Sequence, residues 1–289
     1  MQSTIDIIVQ AYKGYWAYFV GEITTPSWGN YFYWLIGLSL VVWTLELAFP
    51  WRTKQAAIRK DFWLDAFYML FNFFLFSLIG YNAASDVVVH WVRGGLASIG
   101  LGSLTVVDAS AWPTWAKLLT MFVVRDFIQW NVHRWLHKYA WLWRFHQVHH
   151  SVEEMGFAAH LRYHWMETIV YRSIEYLPLA MIGFGLQEFF IVHIVALAIG
   201  HLNHANIVLP LGPLKYIFNN PQMHIWHHAK DIPQGSYGVN YGISLSVWDY
   251  LFRTAWIPSS GRDIKLGFEG VDQYPHGFVK QSLKPFQGA

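Results

Sequence analysis

The chain has 289 residues, of which 54% are hydrophobic, 19% are aromatic and only 13% are charged. Soluble globular domains average about 25% charged residues, so this composition disfavours an ordinary cytosolic enzyme and a disordered chain, and favours surface that faces lipid. The net charge of +2 gives no nucleic-acid footprint, and the lack of cysteine excludes disulfides, thiolate metal sites and a cysteine nucleophile.

The N-terminal part contains two segments with the length and composition of membrane helices. The first residues lack a basic n-region and a small-residue cleavage site, which predicts an interfacial helix rather than a signal peptide. Residues 31–50 and 62–80 each carry one charge, and each approaches the roughly 20 residues that cross a bilayer. The loop between them is basic, so the positive-inside rule places it in the cytoplasm. Residues 81–113 are then expected on the far side.

Two further apolar segments lie in the second half of the chain. Residues 112–130 would return the chain to the cytoplasm, although three charged residues interrupt them. Residues 174–199 carry two charges, and Gly183 and Gly185 divide them into pieces that are short for a full span. We predict a re-entrant or tilted hairpin there, with one long transmembrane helix as the simple alternative. Histidine clusters on both sides favour the hairpin, because one shared site requires the chain to return to the side that it left.

Histidines carry the chemistry. Twelve of the 15 fall in five closely spaced groups, which are His133 and His137; His146, His149 and His150; His160 and His164; His201 and His204; and His224, His227 and His228. Residues three or four apart share one face of a helix, so each group can direct its imidazoles to one point. Protonated imidazoles would repel one another there, whereas a bound metal ion takes neutral imidazole as a ligand.

The number of imidazoles predicts two metal ions at one site. Nine to twelve ligands exceed what one tetrahedral or octahedral ion accepts, and few carboxylates lie nearby, unlike in the glutamate-bridged di-iron bundles. Iron would suit O2 activation, whereas zinc would suit a hydrolytic or structural task. Two other classes stay open: a membrane metal carrier, which would want ionisable residues inside the spans, and a structural protein that zinc only braces.

Together these patterns predict an all-α fold. We expect a multi-pass membrane helix bundle with about four transmembrane or re-entrant segments and a cytoplasmic, histidine-rich, di-metal helical cap. The predicted regions are the interfacial helix with the first transmembrane hairpin (1–114), the histidine-rich region with a membrane hairpin at about 170–200 (115–255), and a polar C-terminal surface tail (256–289). The expected location is a bacterial inner membrane or the endoplasmic reticulum, with the histidines on the cytoplasmic side.

The region from about 115 to 255 resembles the fatty acid hydroxylase and sterol desaturase superfamily of membrane di-iron enzymes. The resemblance rests on RDFIQWNVHRWLHKYAWLWRFHQVHHS, LRYHWME, NHAN, NPQMHIWHH and NYGISLSVWDYLFRT, in this order. The segments HQVHHS and LGPLKYIFNNP are most similar to the alkylglycerol monooxygenase-like branch. In the closing motif Arg253 stands where glycine is usual, so the family pattern does not predict the turn at this position.

The resemblance implies a set of iron ligands by position. The nine histidines that match the family's boxes are His133, His137, His146, His149, His150, His204, His224, His227 and His228. Two more histidines are possible ligands: His164, which precedes Trp165 where proline is usual, and His201. Neither His201 nor His160 has a clear counterpart in the family. The residues expected to support the ligands are Asp249, Asn240, Asp126, Glu153, Glu167 and Asn206.

The resemblance also implies an activity: O2-dependent hydroxylation of an unactivated C–H bond in a fatty acyl, sterol or ether lipid. Two iron ions would be the cofactors, with zinc possible in purified protein, and O2 the co-substrate. No glycine-rich nucleotide-binding motif follows a strand, so a separate electron donor is expected, such as a cytochrome, a ferredoxin or a reduced pterin. Lipid desaturation, alkylglycerol ether cleavage and non-catalytic metal binding are the alternatives. No nucleic-acid partner is expected, and the oligomeric state stays open.

Overall fold

A computed structural model describes residues 3–100 and 105–287. Within these ranges the chain is helical, with two isolated β-bridges and no strand, as the sequence predicts. The α-helices are α1 (Thr4–Thr24), α2 (Tyr31–Ala48), α3 (Phe62–Leu70), α4 (Asn82–Ser98), α5 (Thr114–Lys138), α6 (Ala140–His150), α7 (Trp165–Met181), α8 (Leu186–His204), α9 (Pro221–His227), α10 (Val247–Leu251) and α11 (Phe278–Leu283).

Two helices in the described residues are long and apolar enough to cross a membrane. They are α2 and the continuous helical run Phe62–Ser98, in which two π-helical turns join α3 to α4. The sequence predicts a second segment that ends near residue 80, at Gly80. The helix instead continues to Ser98, because a glycine inside a helix weakens it without ending it, and no proline or capping residue follows to stop it. The predicted span at 112–130 and the membrane location of the predicted hairpin at 174–199 stay predictions.

The helix α5 lies at the centre of the histidine-rich region and contacts α6, α7 and α8. Met121 on α5 packs against Leu179 of α7 and Val192 of α8, so these three helices share one apolar core. Between α7 and α8 the chain turns at Gly183, whose φ of +69° lies in the left-handed region that glycine tolerates. The segment at 174–199 is therefore two helices joined by a turn, as the hairpin interpretation requires.

Buried charged side chains hold the loops that follow the histidine helices α6 and α8. The carboxylate of Glu46, at the end of α2, accepts hydrogen bonds from the backbone N–H groups of Phe157 and Asn206. Arg162 is fully buried and pairs with Asp65 of α3 at 3.2 Å. A buried charge that lost its partner would be costly, so these contacts hold the loops after α6 and α8 against α2 and α3.

The C-terminal segment is not the surface tail that its polar composition suggested. Leu266, Val271 and Tyr274 are buried, and the Gln281 side chain accepts a hydrogen bond from the Tyr68 hydroxyl of α3. Phe278 also packs its ring on Phe67 and Phe71 of the helical run. The anchoring residues are scattered among polar ones, so no periodic pattern marks them in the sequence.

Candidate metal centre

Four helices bring the nine predicted ligands together. They come from the end of α5 (His133, His137), from α6 (His146, His149, His150), from the end of α8 (His204), and from α9 with the residue after it (His224, His227, His228). All nine are buried. The α9 helix starts at Asn220, whose side chain accepts a hydrogen bond from the Met223 N–H, and Pro221 takes the first helical position.

The nine histidines form two adjacent groups, each of which could hold a metal ion. One group consists of His133, His137, His146, His150 and His227, and the other of His149, His204, His224 and His228. Within each group one ring nitrogen per residue lies within 4.8 Å of all the others. The sequence does not reveal this division into five and four, because His149 and His150 are neighbours but face different groups.

Backbone carbonyls fix the tautomers of several rings. The Nδ1–H group of His149 donates to the Arg162 carbonyl at 3.0 Å, and that of His204 donates to the Gly200 carbonyl at 2.8 Å. A carbonyl oxygen can only accept, so in each ring Nδ1 carries the proton and Nε2 carries a lone pair. The same argument applies to three further rings, whose acceptors are the carbonyls of Tyr241 for His133, Tyr237 for His137 and Val239 for His227.

The lone pairs then face one another. The Nε2 atoms of His149 and His204 lie 3.3 Å apart, and neither carries a proton to donate. In the other group the buried Nε2 atom of His137 has no hydrogen-bond partner among the residues that the structure describes. Buried lone pairs without donors are costly, whereas a metal ion with nitrogen ligands at about 2.0–2.1 Å would satisfy several at once. The residues present therefore fit the metal ions that the sequence predicted.

Burial keeps these imidazoles in the neutral form that a metal requires. Desolvation lowers the pKa of His133 to about 4 and that of His149 to about 3. It also lowers the pKa of His146, His150 and His204 well below the usual value, and neighbouring imidazoles add to this effect by mutual repulsion. At neutral pH the groups are therefore uncharged sets of nitrogen ligands.

A glutamate supports one ligand directly. The Oε2 atom of Glu167, in the first turn of α7, lies 2.9 Å from His146 Nδ1, and both residues are buried. Burial raises the pKa of Glu167 to about 8. A cation bound at the histidines would favour its ionised form, which accepts the Nδ1–H group and turns His146 Nε2 towards the centre.

Asp249 and Asn240 act one step further from the ligands. Asp249 accepts hydrogen bonds from the backbone N–H groups of Tyr241 and Gly242 and from the Trp130 indole, so it holds the loop whose Tyr241 carbonyl orients His133. Asn240 has a left-handed φ of +51° and donates its side-chain amide to the Met223 carbonyl on α9.

Arg253 adopts a φ of +59°, the left-handed conformation that glycine adopts without strain. The turn at the place of the usual glycine is therefore kept despite the side chain.

In the described part of the chain, the other predicted supporting residues form no hydrogen bond with a histidine ring. Asp126 accepts from the N–H groups of Ser244 and Leu245, and Asn206 exchanges hydrogen bonds with the Arg52 backbone. Glu153 lies at the surface and pairs with Lys60. Their proximity in sequence to the histidine boxes does not reveal that they brace loops.

The two possible ligands lie outside both groups. His164 donates from Nε2 to the Ser282 carbonyl at 2.9 Å, and its Nδ1 accepts from the Met166 N–H. The ring of His201 lies between the Ser39 hydroxyl and His160, at 3.2 Å and 3.0 Å. His160 itself stacks beside His204, with ring centroids 5.2 Å apart.

A cavity of about 180 Å³ opens above the histidines. Its floor includes His133, His146, His149 and His204, and its walls come from α5, α7 and α8. Several polar residues that sequence reasoning does not select line the walls: Arg125, Gln129, Arg172 and Glu175. In the sequence the three charged residues among these appear only as charges within or beside apolar segments, where they interrupt predicted membrane segments.

We expect the Glu167→Gln variant to lose about 10- to 100-fold in metal affinity or oxidation rate, as is typical when a group that orients a metal-bound histidine loses its charge. The matched control is Glu153→Gln, because Glu153 is three residues from a histidine of the second box, as Glu167 is three residues from His164, but lies at the surface. Metal titration of both variants is the measurement. Equal behaviour of the two would show that the Glu167–His146 contact does not support the centre.

Residues 118–254 match the Fatty acid hydroxylase family. The chain is 33% identical over 175 residues to ornithine lipid hydroxylase OlsE of Rhizobium tropici, a match that covers 61% of this chain and 52% of that protein. It is 35% identical over 159 residues to alkylglycerol monooxygenase of Danio rerio, covering 54% of this chain and 33% of that protein. The alkylglycerol monooxygenase of Homo sapiens is 33% identical over 147 residues, covering 50% and 31%.

The matches thus span about half or less of each of these relatives. No solved structure matches the chain. The family match begins within α5 and ends just after α10, so it includes all nine clustered histidines. The resemblance drawn from the histidine boxes is confirmed: the histidine-rich part of this chain matches the fatty acid hydroxylase family.

Proposed function

We propose that the protein is a membrane-bound di-iron oxygenase that hydroxylates an unactivated C–H bond of a lipid, using O2 and electrons from a separate donor. The observation that carries this proposal is the pair of buried histidine groups, whose lone pairs face one another at the floor of a cavity. The similarity to a lipid hydroxylase and to lipid monooxygenases supports it.

The nine histidines would hold two iron ions, with five ligands in one group and four in the other. Bound iron would supply the redox chemistry that reduces O2 and activates the C–H bond. The overall reaction consumes the lipid, O2, two electrons and two protons, and yields the hydroxylated lipid and water. The carbonyl hydrogen bonds of His149 and His204 would keep both rings in position throughout the cycle.

The cavity would hold the reacting part of the lipid. Its walls come from helices that share an apolar core, and the histidines at its floor are buried. Burial of the histidines limits access of water to them and strengthens the electrostatic interactions around them. The acyl, sterol or ether chain would enter sideways from the bilayer, between the helices of the bundle.

We place the histidine groups on the cytoplasmic side of a bacterial inner membrane or of the endoplasmic reticulum. Two apolar helices of sufficient length support the membrane location. The basic loop between α2 and α3 lies on the same side as the histidines, since Arg52 hydrogen-bonds to Asn206, just after His204. By the positive-inside rule this side is cytoplasmic. A membrane span at 112–130 and a membrane hairpin at 174–199 would complete the proposed multi-pass bundle.

Ether cleavage is a second candidate, favoured by the similarity to alkylglycerol monooxygenase. It would use the same first step, because hydroxylation of the carbon beside an ether oxygen gives a hemiacetal that separates into an aldehyde and an alcohol. Desaturation would remove a second hydrogen instead of adding oxygen. A cytochrome, a ferredoxin or a reduced pterin would be the electron donor in each case.

The test uses the full chain in neutral detergent micelles, loaded anaerobically with iron and supplied with a chemical reductant and 18O2. The lipid probes are an ornithine lipid and 1-O-hexadecylglycerol. Mass spectrometry should find one 18O atom in the hydroxylated ornithine lipid, or an aldehyde product from the ether. The proposal would be contradicted if folded, iron-loaded protein oxidised neither of these probes nor any lipid in a total membrane extract.

A further inference from the structure

The cavity above the histidines contains more charge than an apolar lipid chain requires. Two arginines and two glutamates line it: Arg125, Arg172, Glu167 and Glu175. Ionisable groups within a helical membrane bundle are costly and usually mark a functional site. Their partners within the described parts of the chain distinguish the charges that the protein neutralises from those that a ligand could neutralise.

Three of the four charges are accounted for by protein contacts. Arg125 forms a buried ion pair with Glu175, and the other carboxylate oxygen of Glu175 accepts a hydrogen bond from Gln129 at 3.1 Å. Glu167 contacts the ring of His146. These groups compensate one another or the metal centre, so none of them needs a charge from a ligand.

Arg172 is the exception. Within residues 3–100 and 105–287 no carboxylate lies within 4.0 Å of its guanidinium, which instead lies over the Tyr81 ring at 4.9 Å from the centroid. Tyr15, Tyr163 and Tyr176 are its other electrostatic neighbours. A cation–π contact offsets only part of the cost of a desolvated charge. Arg172 therefore carries a positive charge that this part of the protein does not neutralise.

The position of Arg172 suits a ligand. Arg172 and Tyr176 both line the cavity, and Tyr176 is 41% exposed, so the cavity reaches the molecular surface beside the guanidinium. Arg172 lies on α7 five residues after Glu167, or about 7.5 Å along the helix axis. One molecule can therefore contact the guanidinium and extend towards the histidines.

We infer that Arg172 binds the acidic group, a carboxylate or a phosphate, of an amphiphile whose chain lies in the cavity above the histidines. The planar guanidinium can donate two parallel hydrogen bonds to either group. This inference rests on the proposed function in one respect: the amphiphile is the lipid that is oxidised. It names the substrate class as lipids with an acidic headgroup.

The experiment measures binding in the full, metal-loaded chain in dodecylmaltoside micelles, without O2 or reductant. The probes are dodecanoate, dodecyl phosphate and dodecanol, followed by tryptophan fluorescence. The Arg172→Gln variant removes the charge, and Arg172→Lys keeps it without the planar fork. The matched control is Arg134→Gln, because Arg134 also lies over an aromatic ring, that of Trp130, but does not line the cavity.

We expect wild type and Arg134→Gln to bind at least one acidic probe about tenfold or more tightly than dodecanol. Arg172→Gln should lose this preference and Arg172→Lys should retain part of it. Preference for dodecanoate alone or for dodecyl phosphate alone identifies the acidic group. Equal affinity of wild type for all three probes, or an unchanged preference in Arg172→Gln, would overturn the inference. The experiment measures binding and not oxidation, so its result does not depend on whether the protein oxidises a lipid.

Discussion

Replacing His149 by alanine is expected to abolish lipid oxidation while leaving the helical fold intact. His149 belongs to the four-histidine group, its Nδ1–H group is fixed by the Arg162 carbonyl, and its Nε2 faces His204. A group of three ligands cannot hold its ion in the same geometry. The metal ligands act as one unit, so the loss of one of them should lower the rate of lipid oxidation by on the order of a thousandfold or more.

Two measurements decide this prediction. The metal content should fall by one ion, because the five-histidine group is unchanged, and circular dichroism should show wild-type helix content. His90→Ala is the control, because His90 lies on the exposed side of α4 and outside both groups. Loss of helix content alone would favour the alternative of a structural metal brace, and wild-type oxidation by His149→Ala would contradict the assignment.

The metal-free protein is expected to lose stability steeply as the pH falls below about 6.5. Folding lowers the pKa of the buried histidines, to about 4 for His133 and about 3 for His149. Above pH 6.5 both states are neutral, so these groups contribute nothing there. Below pH 6.5 the unfolded chain binds protons at these histidines and the folded chain does not. The free energy of unfolding therefore decreases until the pH reaches the folded-state pKa.

The magnitude is large because several histidines act together. Each contributes about 1.4 kcal/mol per pH unit once the unfolded chain is fully protonated, so three of them cost about 4 kcal/mol per unit. Whole domains have only about 5–15 kcal/mol of stability. Urea unfolding of metal-free protein at pH 7.5, 6.5 and 5.5 would measure this effect, with metal-loaded protein as the comparison. Stability that does not change between pH 7.5 and 5.5 would contradict the predicted burial of neutral imidazoles.

The helical class and the convergence of the histidines could be predicted because both follow from local spacing. The boxes that supply the nine clustered rings lie on α-helices or directly after one, where residues three or four apart share a face, and the family resemblance selects these nine. The same spacing also selects His164 and His201. It cannot show that the Ser282 carbonyl and the Ser39 hydroxyl occupy their ring nitrogens, since those contacts join residues more than 100 positions apart.

The supporting residues and the cavity were less predictable. Glu167 and Asp249 are among the predicted supporting residues and do support histidines, directly and through the Tyr241 loop, whereas Glu153 is predicted on the same kind of evidence as Glu167 and lies at the surface. Only tertiary packing separates these cases. The carbonyl acceptors that fix the tautomers are backbone atoms, which carry no sequence signal.

Metal stoichiometry tests the central claim most directly. Elemental analysis of the full chain, purified without a histidine tag and loaded anaerobically with iron, should give about two metal ions per chain. Zinc found before loading should exchange for iron in the same number, since both use the same imidazoles. Two results would contradict the assignment of two adjacent sites. One is folded protein that binds no metal; the other is protein that binds only one ion, with binding of that ion abolished in both His149→Ala and His133→Ala.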